Sequence, residues 1–162
     1  MDDLGIGDVY SIETPVQIMK NVEKLFKNES NLVILKKDKS LRVTGSNYQY
    51  ELGIGETQKA YTPIKIAKNV KDVVFGEYCT MIIQEDGTLL GMGSNINGQL
   101  GTGDNEPRTI PTFITSNVEN VYCNFYGSFI FKKDGSLWKT PYFNYSSTNS
   151  SKKSLKKYWK IF

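Results

Sequence analysis

Histidine is absent from the 162 residues and cysteine occurs only twice, so the commonest general base at neutral pH and most soft metal ligands are missing. Cys79 and Cys123 share no CxxC spacing, which argues against a zinc site and leaves a catalytic thiol without its usual base. No apolar run approaches the length of a membrane-spanning helix. The acidic start Met1-Asp2-Asp3 is the reverse of a secretory signal, so a cytoplasmic address is expected if these residues are the whole protein. Paired carboxylates are lacking too: Glu85 and Asp86 are adjacent, and neighbours on a strand point to opposite faces. Asp104, Asn105 and Glu106 hint at calcium, but the ligand spacing and closing Glu of a calcium loop are absent. With no nucleophile beside a base and no oxyanion arrangement, no catalytic residue, metal site or cofactor-binding residue is assigned, and a non-enzymatic protein is expected.

What the chain does have is glycine in clusters. GSNINGQLGTGDN, residues 93–105, could cradle a phosphate, but such a loop should lead into a helix with a Lys and a Ser/Thr nearby. Here Pro107, Pro111 and a β-branched run follow, which read as loop and then strand.

Sliding the sequence along itself by 48 residues explains the glycines. LGIGD at 4–8 becomes LGIGE at 52–56 and LGTGD at 100–104. Pro15, Pro63 and Pro111 recur at the same interval, as do Asn21-Val22, Asn69-Val70 and Asn117-Val118. Asp38, Asp86 and Asp134 follow suit, with Leu41, Leu89 and Leu137. A glycine that returns in each unit serves the unit, through left-handed turns or close approach.

The middle copy gives the unit. VKDVVFG (70–76) and CTMIIQ (79–84) are β-rich runs; Asp86-Gly87 is a hairpin signal; TLLGMG (88–93) follows, and TIPTFIT (109–115) makes a fourth strand whose proline suits an outer edge. Four antiparallel strands in 48 residues is one propeller blade, so the fold class is all-β, a partial β-propeller of about three blades. Repeat starts fall near 4, 52 and 100, with 141–162 set apart as a Ser/Asn-rich loop and a basic end.

The pattern carried by Val70, Val73, Gly76, Asp86, Gly87, Leu89, Gly93, Asn95, Gly98, Gln99, Leu100, Gly101, Gly103, Asp104 and Pro111 resembles the repeat of the regulator of chromosome condensation family. The resemblance covers residues 4 to about 140 and implies a β-propeller, commonly of seven blades. Family repeats usually place a histidine near the start of the second strand, where this chain has Asn31, Cys79 and Gly127. The eukaryotic namesake catalyses nucleotide exchange on a small GTPase and docks on chromatin; no exchange residue carries over, so exchange activity is an analogy. Inhibition of a hydrolase, as by β-lactamase inhibitory proteins built on similar repeats, is another possibility of the same class.

Three blades do not close a ring, so the expectation is either a segment of a longer propeller or a homo-oligomer that buries the open edges. Residues 158–162 (YWKIF) fall in register with an outer strand, while Leu155, Tyr158, Trp159 and Phe162 would also share one face of a short basic helix. Five lysines in that tail leave 15 basic against 17 acidic residues in 1–140, so no nucleic-acid binding is expected from the blades. The two cysteines read as half-buried thiols, with a disulfide between adjacent blades as the lesser alternative.

A meander places the first and third turns of every blade at one end. That end, turns 28–31, 76–79 and 124–127 with loops 46–61 and 94–110, holds Tyr48, Tyr50, Tyr61, Tyr78, Phe125 and Tyr126. Aromatics on loops held by a rigid scaffold are interface anchors, or rings that fold back over the blade core or fill the gap between neighbouring blades. The expected function is a protein-interaction module with a protein partner of unknown identity, working through this loop face.

Overall fold

A computed structural model describes residues 14–27, 30–76, 78–140, 153–154 and 156–160. The first glycine motif, at 4–8, and the Ser/Asn-rich stretch 144–151 lie outside the described residues.

Every regular element among those residues is a strand. Blade 1 is the antiparallel meander of β1 (Val22–Lys27), β2 (Asn31–Lys36), β3 (Leu41–Ser46) and β4 (Lys59–Ala67). Blade 2 joins β5 (Val70–Phe75), β6 (Cys79–Gln84), β7 (Leu89–Gly93) and β9 (Arg108–Thr115), with the short β8 (Thr102–Gly103) inside its long loop. Blade 3 joins β10 (Val118–Asn124), β11 (Gly127–Lys132), β12 (Ser136–Lys139) and β14 (Lys156–Lys160), while β13 (Lys153–Ser154) pairs with β8. Residues 156–160 are therefore strand and not helix, paired to β12 from Ser136↔Lys160 to Lys139↔Lys156, which covers the backbone edge that β12 would otherwise expose.

Local chemistry repeats with the strands. Asp38, Asp86 and Asp134 each accept the N–H of the residue two positions on (Ser40 at 3.0 Å, Thr88 at 2.8 Å, Ser136 at 2.9 Å), which closes the hairpin between second and third strands. Asn21, Asn69 and Asn117 hold left-handed backbones (φ 58°, 55° and 62°) just before each blade, a conformation that Asn tolerates. The first strand of each blade breaks register at the same place, between Val22 and Lys24, Val70 and Asp72, Val118 and Asn120.

The blades stack through alternate residues. Val33, Leu35 and Leu41 of blade 1 meet Val70, Val73 and Ile82 of blade 2. Met81, Ile83 and Leu89 of blade 2 meet Val118, Val121 and Ile130 of blade 3. Strand β6 thus sends Ile82 one way and its neighbours Met81 and Ile83 the other, as a period of two requires. Each buried aliphatic side chain contributes about 1.5–3 kcal/mol. The cross-blade ion pairs Lys24–Asp72 (3.3 Å) and Lys71–Glu119 (3.0 Å) are exposed and add about 0–1 kcal/mol each, so apolar burial decides the stacking.

Candidate protein-binding face

The turns between β1 and β2, β5 and β6, and β10 and β11 emerge at the same end as the β3–β4 and β7–β9 loops. A buried asparagine organises each long loop. Asn47 Oδ1 accepts from Leu52 N (2.9 Å) and its Nδ2 donates to the carbonyls of Gly55 and Thr57. One repeat on, Asn95 Oδ1 accepts from Leu100 N (2.9 Å) and Nδ2 donates to Thr102 Oγ1 and the Asp104 carbonyl.

The loops then lace the blades together. Thr80 Oγ1 of blade 2 donates to the Glu51 carbonyl of blade 1 (2.7 Å), and Ser128 Oγ of blade 3 donates to the Gln99 carbonyl of blade 2 (2.6 Å). Gly93, at φ 99°, lets this happen, because a Cβ there would run into the Tyr78 carbonyl oxygen. The glycine-rich stretch is thus committed to loop geometry. Gln99 Oε1 accepts from Asn97 N (2.9 Å), but its buried Nε2 finds no partner among the described residues. In blade 1 the equivalent Glu51 accepts from Asn31; blade 2 has Cys79 at the position of Asn31, a weak acceptor.

Three of the aromatic residues singled out from sequence come together. Tyr78 meets Phe125 edge to face (centroids 5.8 Å apart, planes at 80°), and Phe125 meets Tyr126 likewise (5.3 Å, 76°). The turn under Tyr126 is fixed by Asn124 Oδ1, which accepts from the N–H groups of Tyr126 and Gly127, and Asn97 Nδ2 of blade 2 donates to the Phe125 carbonyl (3.0 Å). Tyr78 and Tyr126 are 41% and 56% exposed, whereas Phe125 is half-buried between them. Tyr48 is 67% exposed on the blade 1 loop, and Tyr50 is half-buried there. Tyr61 lies within β4 rather than in the loop, exposed, with Lys59 Nζ 5.1 Å from its ring centre. Sequence reading passed over Ile96, exposed on the blade 2 loop; it stands one repeat after Tyr48, so the register itself would have found it.

Asp104, once a calcium candidate, faces Arg108 (2.7 Å) and also accepts from Thr102 Oγ1 and Glu106 N. The Arg108 guanidinium, ahead of the other donors, holds its carboxyl below the ordinary value. No group of three His, Cys, Asp or Glu side chains among the described residues could hold a metal. An open groove of about 520 Å³ runs between the outer strands of blades 1 and 2, lined by Ile54, Ile64, Ile66, Leu90 and Pro111; its ionisable lining residues are Lys65 and Lys68.

Repeated four-stranded blades, stacked through apolar faces and laced at one loop-bearing end, define a propeller-type repeat protein. Residues 86–125 match the family model described as Regulator of chromosome condensation (RCC1) repeat, so the chain carries that repeat. Among solved structures it is similar to human WBSCR16 (18% identity, TM-score 0.68, covering 80% of this chain and 35% of that one). It is also similar to yeast RCC1 (Prp20) in a structure with Kap60 (22%, 0.64, 78% and 31%), and to Prp20p from Saccharomyces cerevisiae in a study of its binding to Gsp1p and histones (22%, 0.63, 80% and 32%). The likeness is one of fold, the RCC1-type β-propeller, and the chain spans about a third of the length of these structures. No curated protein matches it.

Proposed function

We propose that the chain is a non-enzymatic protein-interaction segment of an RCC1-like propeller, and that it engages a protein partner through the loop-bearing end. The observation that carries this reading is the Tyr78–Phe125–Tyr126 cluster, which bridges two blades on hydrogen-bonded turns while leaving two tyrosines open. Tyr and Phe on a rigid support bury large areas at low entropic cost, the character of interface anchors. Tyr48 and Ile96, exposed at equivalent places on the two long loops, extend the surface. Proteins are also the partners named for yeast RCC1 (Prp20), which supports a partner of that kind.

The test is retention of a partner from an extract of its own cell by the immobilised chain. Replacing Tyr48, Tyr78 and Tyr126 together by Ala is expected to lower retention at least about thirtyfold, since even one aromatic anchor contributes about 2 kcal/mol or more. The melting temperature should stay close to that of the parent. Unchanged retention would remove the loop end from the interface. Accelerated release of bound nucleotide from a small GTPase would overturn the non-enzymatic reading.

A further inference from the structure

The two cysteines, far apart in sequence and out of step with the repeat, meet at the junction of blades 2 and 3. Cys79 opens β6 and is fully buried; Cys123 is near the end of β10, half-buried, packed against the same apolar cluster. Their meeting point is set by Gly76. A Cβ on that glycine would stand 2.6 Å from Cys79 Sγ and 3.0 Å from Cys123 Sγ, so both sulfurs lie within about 3 Å of a single point that only glycine leaves vacant. The two sulfurs are therefore close neighbours, and Cys123 Sγ also donates toward the Val74 carbonyl (3.9 Å).

The register shows that the pair is particular to this junction. The positions equivalent to Cys79 are Asn31 and Gly127, and those equivalent to Cys123 are Lys27 and Phe75, so no other blade can form it. The chain holds no third cysteine to compete.

We propose that Cys79 and Cys123 form an oxidisable dithiol site that closes into a disulfide between blades 2 and 3. With a hydroperoxide as oxidant, the more exposed Cys123 sulfur attacks the distal peroxide oxygen. The O–O bond breaks, Cys123 becomes a sulfenic acid, and an alcohol (or water) leaves with the thiol proton. Cys79 sulfur then attacks the Cys123 sulfur; the S–S bond forms, the S–OH bond breaks, and the hydroxyl leaves as water with the Cys79 proton. Two thiols are oxidised by two electrons and one peroxide is reduced. The neighbouring Cys123 sulfur, and after it burial, push the Cys79 thiol up and hold it protonated, which makes it the resolving thiol and not the first to react.

The bond would pin the turns that carry Tyr78 on one side and Phe125 and Tyr126 on the other, immediately next to the two cysteines. That consequence for binding rests on the proposed function, whereas the disulfide itself does not.

The experiment uses the full chain, reduced, freed of reductant and exposed to hydrogen peroxide under native conditions. Free thiols should fall from two per chain to none, with loss of two hydrogens in the intact mass and recovery by dithiothreitol. Proteolytic mapping should return one peptide joining residue 79 to residue 123. The native chain should close at least about tenfold faster than the urea-unfolded chain, because the fold supplies the effective concentration. The oxidised chain should melt several degrees higher than the reduced one. Cys79→Ser and Cys123→Ser should each abolish the intramolecular bond. Sulfinic acid on Cys123 with Cys79 left free, disulfide-linked dimers in place of the internal bond, or equal rates in native and unfolded chains would each overturn the proposal.

Discussion

Gly93 and Gly103 show how one residue type serves two ends. Both have left-handed backbones, at φ 99° and 94°, but a Cβ on Gly93 would meet Tyr78 and Cys79 backbone while one on Gly103 would meet nothing within 4 Å. Gly103→Ala is therefore expected to cost only the backbone strain, about 1–2 kcal/mol. Gly93→Ala should cost clearly more in the same denaturant titration, and equal losses would refute the close-approach role. Carboxylates supply a second reading at this scale. Asp38 is held below its ordinary value of 3.8 by the Ser40 hydroxyl and then the Ser40 N–H, Asp86 by the Thr88 N–H and then its hydroxyl, and Asp104 by Arg108. A lowered carboxyl value in the folded chain means that its stabilisation is complete above the unfolded value and is lost as pH falls through the folded one. The melting temperature should thus hold from neutral pH down to about 5 and drop below about 4; a drop confined to pH 5–7 would point to other groups. The Asp turns were legible in the sequence because an Asp-Gly pair has one strong local use. Tyr50 was not legible as a turn residue: it holds φ 62° where the next repeat has Gly98 at 71°, so the signal disappears with the glycine. The meeting of Cys79 and Cys123 stood only as the lesser alternative in the sequence for a related reason, since neither thiol follows the repeat.

Among elements, the repeat makes a controlled comparison. Met81 and Phe129 occupy the same position on β6 and β11, and both lie on the face that a following blade would cover. Met81 is fully buried against blade 3, whereas Phe129 is 44% exposed with no further blade described beyond it. Met81→Ala should cost about 2–5 kcal/mol. Phe129→Ala should cost less than about 1 kcal/mol in the isolated chain, and a loss as large as that at Met81 would show that something already covers the face. The strands of blade 2 could be read to within a residue, because Asp-Gly, Pro and the apolar runs mark their ends. The pairing of β8 with β13 could not, because two-residue strands carry no pattern of their own and exist only where tertiary contact brings them together. The final strand, β14, was legible as a strand through the repeat, but its register was not: Trp138 pairs with Lys157, whereas the Leu90↔Phe113 pair of blade 2 would place it opposite Ile161, so 158–162 as expected gives way to Lys156–Lys160.

For the whole molecule, the fold follows from a single 48-residue instruction given three times, and function does not follow in the same way. Two surfaces present exposed large side chains: the laced loop end with Tyr48, Ile96, Tyr78 and Tyr126, and the open side of blade 3, where Tyr122 is 66% exposed beside Phe129. The loop end was legible because a meander fixes which turns share an end, but sequence could not say that Phe125 and Tyr126 would gather against Tyr78, or that Tyr61 would stand within β4. The most direct measurement is amide hydrogen exchange of the chain alone and in complex with its captured partner. Protection concentrated in 47–58, 76–78, 94–107 and 125–126, with β10 to β12 unchanged, is the expected result. Protection along the open side of blade 3, with those loops exchanging as before, would contradict binding through the loop end.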